Sequence, residues 1–217
     1  MKVLIAGASG MVGGLILQHC LESDKISQVI SLVRKESSTN HEKLSELVVN
    51  DFADYSGMED VFSDVVVAFF TIGVYTGQVP DDQFKIITVD YAVEFAKAVK
   101  NQNPNATYCL LSGAGADQTE KSKTSFARYK GMSENQITAL GLQFYSFRPA
   151  YIYPVQARKE PNVMYSVSRF LYPLIRLFGS NASIKSTELA RAMFTVGVSG
   201  TNQSILENRD IINLINE

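Results

Sequence analysis

The chain is poor in the residues that mark several large function classes. Two cysteines, Cys20 and Cys109, in 217 residues are too few for the disulfide framework of a small secreted domain. Two histidines, His19 and His41, and no Cys-x-x-Cys pair leave little from which to build a transition-metal centre, so no metal is expected. His19 and Cys20 are neighbours in a helical pattern and do not share a face. An excess of one charge is also missing. Lys and Arg number 20 against 22 Asp and Glu, a formal net charge of −2. No electrostatic footprint for nucleic acid stands out, and none for a membrane surface. No apolar run approaches the roughly 18 residues of a membrane span, so no stable membrane insertion is expected. Met1-Lys2 leads into Val3-Leu4-Ile5-Ala6 and then into glycines, where a secretory leader would continue its apolar stretch. The expected compartment is the cytoplasm.

What the chain does have is the balance of an ordinary globular protein, 46% hydrophobic and 19% charged. Its length fits one domain, residues 1–217, with an elaborated end. Short β-rich runs at 3–6, 29–33, 47–49, 65–70, 108–111 and 144–147 alternate with helical patterns. The helices are expected at 11–21, 81–100 and 122–140, the last closed by Gly141. The run 65–70 is too apolar for a half-exposed strand and reads as one buried on both faces, as in a parallel sheet. This rhythm predicts an α/β, Rossmann-type doubly wound parallel sheet with helices on both faces. After Pro154 the rhythm fails. Residues 154–183 are expected to form a small substrate-side lobe, inserted before a helix at 187–198 and a last strand or helix within 205–215. The aromatic stretch 165–178 with Arg169 and Arg176 reads as a substrate-lobe helix or a homodimer contact.

The most informative segment is Gly7-Ala8-Ser9-Gly10-Met11-Val12-Gly13, directly after the first strand and opening the first helix. Gly7 lets the chain turn sharply off the strand. Gly10 lets the backbone approach a pyrophosphate. Gly13 lets helix and strand pack closely, and the free N–H groups of the helix start face the phosphates. The G-x-x-G-x-x-G spacing is one residue longer between the first two glycines than the common dinucleotide fingerprint. Its place between strand one and helix one gives it weight. The end of the second strand bears on which dinucleotide is bound. An acid there holds the ribose 2′-OH of NAD, whereas a basic residue accommodates the 2′-phosphate of NADP. Arg34 and Lys35 follow Val33, with no acid before Glu36. Arg34 offers a bidentate fork, Lys35 a point charge and Ser9 a further donor. NADP(H) is therefore expected over NAD(H).

With that loop go Leu32-Val33-Arg34-Lys35, Asn50-Asp51-Phe52, Phe70-Thr71-Ile72-Gly73, Leu111-Ser112-Gly113-Ala114-Gly115-Ala116, Lys130-Gly131-Met132-Ser133-Glu134 and Phe147-Arg148-Pro149-Ala150. Taken in this order, they resemble the atypical and extended short-chain dehydrogenase/reductases. The branch most resembled includes the Tat-interacting-protein-like oxidoreductases, nitrogen-metabolite-repression regulators and epimerase-like members. The likeness covers residues 1–153, and 184–215 more loosely. It implies a Rossmann fold that binds NAD(P), with Gly7, Ser9, Gly10, Met11, Val12 and Gly13 around the phosphates. It implies that Asp51 accepts from the adenine amine with Phe52 near the ring. Thr71, Ile72 and Gly73 would line the middle of the dinucleotide, although a plain strand-ending turn explains them as well.

The family reduces carbonyls with three side chains, a Ser after strand five and a Tyr and Lys four residues apart on one helix face. Ser112 and Lys130 match the first and last of these positions. Four residues before Lys130 stands Phe126, which has the ring of tyrosine and no proton to give. Three explanations stay open. Tyr129 supplies the hydroxyl from about 60° around the helix; a substrate group or water carries the proton; or the dinucleotide is bound and not turned over. The resemblance thus implies an NADP(H)-dependent oxidoreductase acting on a small carbonyl compound, with Ser112, Lys130 and Tyr129 as candidate catalytic residues. The alternatives are a non-catalytic dinucleotide-binding sensor or scaffold, and an epimerase or isomerase that retains its cofactor. The expected partner is a small-molecule substrate, and no nucleic acid.

Overall fold

A computed structural model describes residues 1–155 and 182–216. Nine strands occur among them: β1 Lys2–Ala6, β2 Gln28–Val33, β3 Leu44–Val48, β4 Val65–Phe70, β5 Thr107–Leu111, β6 Gln143–Arg148, β7 Tyr151–Tyr153, β8 Ser183–Lys185 and β9 Ile205–Glu207. Seven of these form one sheet in the order β3-β2-β1-β4-β5-β6-β9. Every neighbouring pair in it is parallel. The helices are α1 Met11–Glu22, α2 Glu59–Phe62, α3 Asp81–Lys85, α4 Tyr91–Gln102, α5 Ser125–Ala139, α6 Ser186–Ser199 and α7 Asn208–Asn216. This is the Rossmann-type α/β fold expected from the alternation of short apolar runs and helical patterns.

The pleat explains why the central strands are apolar throughout. Alternate residues of β1 enter two different cores. Leu4 and Ala6 join Phe70, Phe95 and Tyr108 on the side of α4 and α5. Val3 and Ile5 join Phe69, Phe147 and Met193 on the side of α1 and α6. The run 65–70 is buried on both faces as expected, except at Val66, which is exposed near the start of β4.

Three elements differ from the sequence reading. The third strand begins at Leu44, three residues before the expected apolar run. It is an edge strand of half-buried and exposed residues, so its pattern is weak. The helix expected at 81–100 is interrupted by a π-helical segment, Ile86–Asp90, between α3 and α4. The residues expected to hold a last strand or helix hold both, and β9 extends the main sheet beside β6. Of the lobe expected at 154–183, residues 156–181 lie outside the described residues, as does the aromatic stretch 165–178. The chain leaves β6 through β7, which pairs with β8 in a separate two-stranded sheet.

In the main sheet the connections diverge from β1, one way through β2 and β3 and the other through β4 and onward. A crevice opens at such a switch point beyond the carboxyl ends of the strands.

Candidate functional site

The chain turns off β1 through Gly7, whose φ of +96° is a conformation L side chains rarely adopt. A Cβ on Gly7 would lie 2.7 Å from Thr71 Oγ1. One on Gly13 would lie 2.2 Å from the Gly7 carbonyl oxygen and 2.5 Å from Thr71 Oγ1. Both glycines are therefore fixed by close packing of the loop on the end of β4. Thr71 joins that contact by donating from its backbone N–H and its hydroxyl to the Ala6 carbonyl. Gly10 is different. It is the exposed N-cap of α1, and a Cβ there meets only the Gly7 carbonyl, at 3.1 Å. No side chain caps the N-terminus of α1, and its first turn carries no acid. The helix start is an open cradle of backbone donors, and the residues fit a pyrophosphate.

This cradle forms one wall of a cleft of about 370 Å³. Gly10, Met11 and Val12 line it from the loop, and Thr71, Ile72 and Gly73 from the end of β4. Ser112 lies after β5, and Phe126 and Lys130 face it from α5. Residues 126 and 130 thus share the helix face that their spacing of four requires. The Phe126 ring tip lies against Gly113, where an added Cβ would come within 2.5 Å of Cζ. Lys130 Nζ donates to the Leu111 carbonyl at 3.0 Å. Burial lowers the Lys130 pKa to about 8, partly opposed by the nearby Glu134 carboxylate.

Other candidates lie elsewhere. Tyr129 does not line the cleft. It is buried toward α3, with its ring 6.0 Å from Phe84 and its hydroxyl donating to Asp81 Oδ2 at 2.7 Å. The rotation between positions 126 and 129 turns the hydroxyl onto a neighbouring helix, which corrects the expectation that it replaces the missing acid. The Phe52 side chain is in the core, 5.9 Å from the Tyr91 ring. Asp51 is exposed and accepts from the Ala53 N–H at 2.8 Å through Oδ1. Arg34 and Lys35 are exposed at the end of β2 beside the glycine loop, as is Ser9 within it. Neither basic residue forms an ion pair among the described residues.

Beneath the cleft lies a polar cluster that the sequence reading did not identify. Glu134 is fully buried on α5. Its Oε1 accepts from Ser112 Oγ at 2.7 Å, Ser146 Oγ at 2.7 Å and Arg148 Nε at 3.0 Å. Its Oε2 accepts from Arg148 Nη2, and Arg148 Nη1 reaches Glu207 Oε1 on β9 at 2.9 Å. The signal available was an acid one turn beyond Lys130 and a basic residue ending β6. Only the fold shows that they meet. Tyr75 and Tyr151 also line the cleft and carried no recognised motif. No group of three or more metal-binding side chains occurs among the described residues. No helix among them is long and apolar enough to cross a membrane.

Comparison with known proteins agrees with this geometry. A protein of Aspergillus clavatus named "Protein fmp52, mitochondrial" is 32% identical over 150 residues, 65% of this chain and 62% of its own length. Its Saccharomyces cerevisiae namesake is 28% identical over 143 residues, 64% and 60% of the two lengths. The matched region thus spans less than two thirds of these curated relatives. Their names place them in mitochondria, which overturns the cytoplasmic expectation drawn from the missing leader pattern. Among solved structures, Gre2 of Candida albicans in complex with NADPH superposes with a TM-score of 0.71 at 15% identity, covering 95% of this chain and 77% of that one. The Bordetella bronchiseptica enzyme WbmH in complex with NAD+ gives 0.71 at 17%, covering 95% and 75%. These likenesses show the fold alone, a Rossmann-like α/β arrangement. The sequence profile described as NAD(P)H-binding matches residues 7–172, and the chain belongs to that NAD(P)H-binding family.

Proposed function

We propose that this protein is an NADP(H)-dependent oxidoreductase of the atypical short-chain type, acting on a small carbonyl compound within a single domain. One observation carries the reading. The glycine cradle, Thr71–Gly73, Ser112 and Lys130 converge on one cleft at the switch point of the sheet.

In this reading Gly7 and Gly13 shape the loop, and Ser9, Gly10, Met11 and Val12 hold the pyrophosphate by backbone and hydroxyl donors. Arg34 and Lys35 face the 2′-phosphate, and Asp51 faces the adenine amine. The bound dinucleotide supplies a hydride. Lys130 holds the nicotinamide ribose with one of the two N–H groups not committed to Leu111. Ser112 stands at the substrate oxygen, and Phe126 packs the floor without donating a proton. NADPH appears with Gre2 and NAD+ with WbmH, so the NADP(H) preference rests on Arg34 and Lys35.

A second reading, a dinucleotide-binding sensor or scaffold without turnover, is favoured by Phe126 at the acid position. An assay of NADPH oxidation against aldehydes, ketones and quinones separates the two. Slow turnover of at least one carbonyl is expected, because loss of a general acid typically costs about 10²–10⁴-fold. Tight NADPH binding with no turnover across the panel would favour the sensor.

A further inference from the structure

The hydrogen-bond direction at Ser112 bears on what the cleft accepts. A hydroxyl has one proton to donate and two lone pairs to accept with. The Ser112 proton is used. Oγ lies 2.7 Å from Glu134 Oε1, and that carboxylate is pinned by the Arg148 guanidinium through both Nε and Nη2. A carboxylate in such a pair is an acceptor only, so Ser112 and Ser146 must both donate to it. The arrangement is rigid. Glu134 and Ser146 are fully buried and Ser112 nearly so. Turning the Ser112 proton into the cleft would remove a hydrogen bond to a charged group, among the stronger kinds in proteins. Ser112 therefore presents lone pairs to the cleft. Lys130 lines the same cleft, and its Nζ sits 3.0 Å from the carbonyl of Leu111, the residue before Ser112, with further N–H groups to donate. Phe126 contributes no polar atom.

We propose that Glu134 is a positioning residue that fixes Ser112 as a hydrogen-bond acceptor, so that the cleft selects an α-hydroxycarbonyl compound. The substrate hydroxyl donates to Ser112, and the adjacent carbonyl oxygen accepts from Lys130. A simple ketone or aldehyde satisfies only the second contact and leaves its lone pairs facing those of Ser112. This inference deepens the oxidoreductase reading and rests on it.

The test measures binding. Calorimetry first establishes that the protein binds NADP+. Ligand-observed NMR then gives the affinities of 2-hydroxycyclohexanone and cyclohexanone for the NADP+-loaded protein and for Ser112→Ala. The hydroxyketone should bind about 10-fold more tightly than the ketone, the effect of one good polar contact. Ser112→Ala should bring that ratio close to one, because the hydroxyketone loses its acceptor and cyclohexanone loses the opposing lone pairs. Glu134→Gln, if folded, should lower the ratio by raising the affinity for cyclohexanone, because a neutral amide oxygen holds the Ser112 proton less strongly than a carboxylate and lets it turn to the ketone. A purely structural role for Glu134 would weaken both probes together. Equal binding of the two probes, no binding of either, or a loss of cyclohexanone affinity in Ser112→Ala would overturn the proposal while leaving the cofactor reading intact. Absence of NADP+ binding would overturn both.

Discussion

Phe126 departs from the family pattern at a single atom, and its surroundings show what that atom would meet. The ring tip lies over Gly113, beside Ser112, and Lys130 shares the same helix face. A hydroxyl added at Cζ would press on Gly113, so the ring must turn toward the cleft for Ser112 to accept its proton. Phe126→Tyr should raise the rate of NADPH oxidation with carbonyl substrates, by up to about 10²-fold. Tyr129→Phe should leave it unchanged, because that hydroxyl serves Asp81 on α3. Assays of the parent and both variants on one substrate panel check this, and a collapse of activity in Tyr129→Phe would refute it. Lys130 supports a second prediction. Burial lowers its pKa from 10.5 to about 8 in the folded chain. Below pH 8 the residue is charged in both states, and the folded state bears the cost of burying that charge. Between about 8 and 10.5 the unfolded chain binds the extra proton, so stability contributed by this group rises with pH, by at most about 3 kcal/mol. Denaturant unfolding from pH 7 to 10 should show the parent gaining on Lys130→Met across this window, and parallel curves would refute it.

At the scale of elements, the three glycines of the first loop do different work. Gly7 and Gly13 are closed in by the end of β4, whereas Gly10 caps α1 with only the Gly7 carbonyl nearby. Gly13→Ala should therefore destabilise the fold, because its new Cβ would sit 2.2 Å from a backbone oxygen and α1 would have to move off β1. Gly10→Val should fold with a smaller loss of melting temperature than Gly13→Ala and lose dinucleotide binding, because its Cβ meets only the Gly7 carbonyl and its side chain fills the cradle. Thermal melts and NADPH calorimetry on the two variants separate the effects. Intact binding by folded Gly10→Val would displace the phosphates from this loop. The order of glycines, strand and helix was legible in the sequence because each glycine serves local backbone geometry. The π-helical segment at Ile86–Asp90 was not, since it leaves the apolar pattern of a helix in place. The early start of β3 was missed because edge strands lose the continuous apolar run.

For the whole molecule, cofactor binding acts on global stability, since a ligand that binds only the folded state raises the unfolding free energy by RT ln(1 + [L]/Kd). At a fixed concentration, NADPH should raise the melting temperature more than NADH, and Arg34→Ala should remove most of the difference. Equal shifts in the parent would refute the NADP(H) preference. The sequence by itself determined the parallel α/β fold, because burial on both faces writes itself as apolar runs. It also determined the glycine loop between β1 and α1 and the positions of Ser112 and Lys130, because these depend on local turns and on spacing along one helix. Only the tertiary structure decided that Tyr129 faces α3, that Phe52 belongs to the core and that β9 completes the sheet. It alone joined Glu134, Ser146 and Arg148 beneath Ser112. Those contacts join separate elements, Glu134 on α5 with Ser146 and Arg148 on β6, and the direction of a hydroxyl's hydrogen bond is set by whichever partner the fold brings beside it.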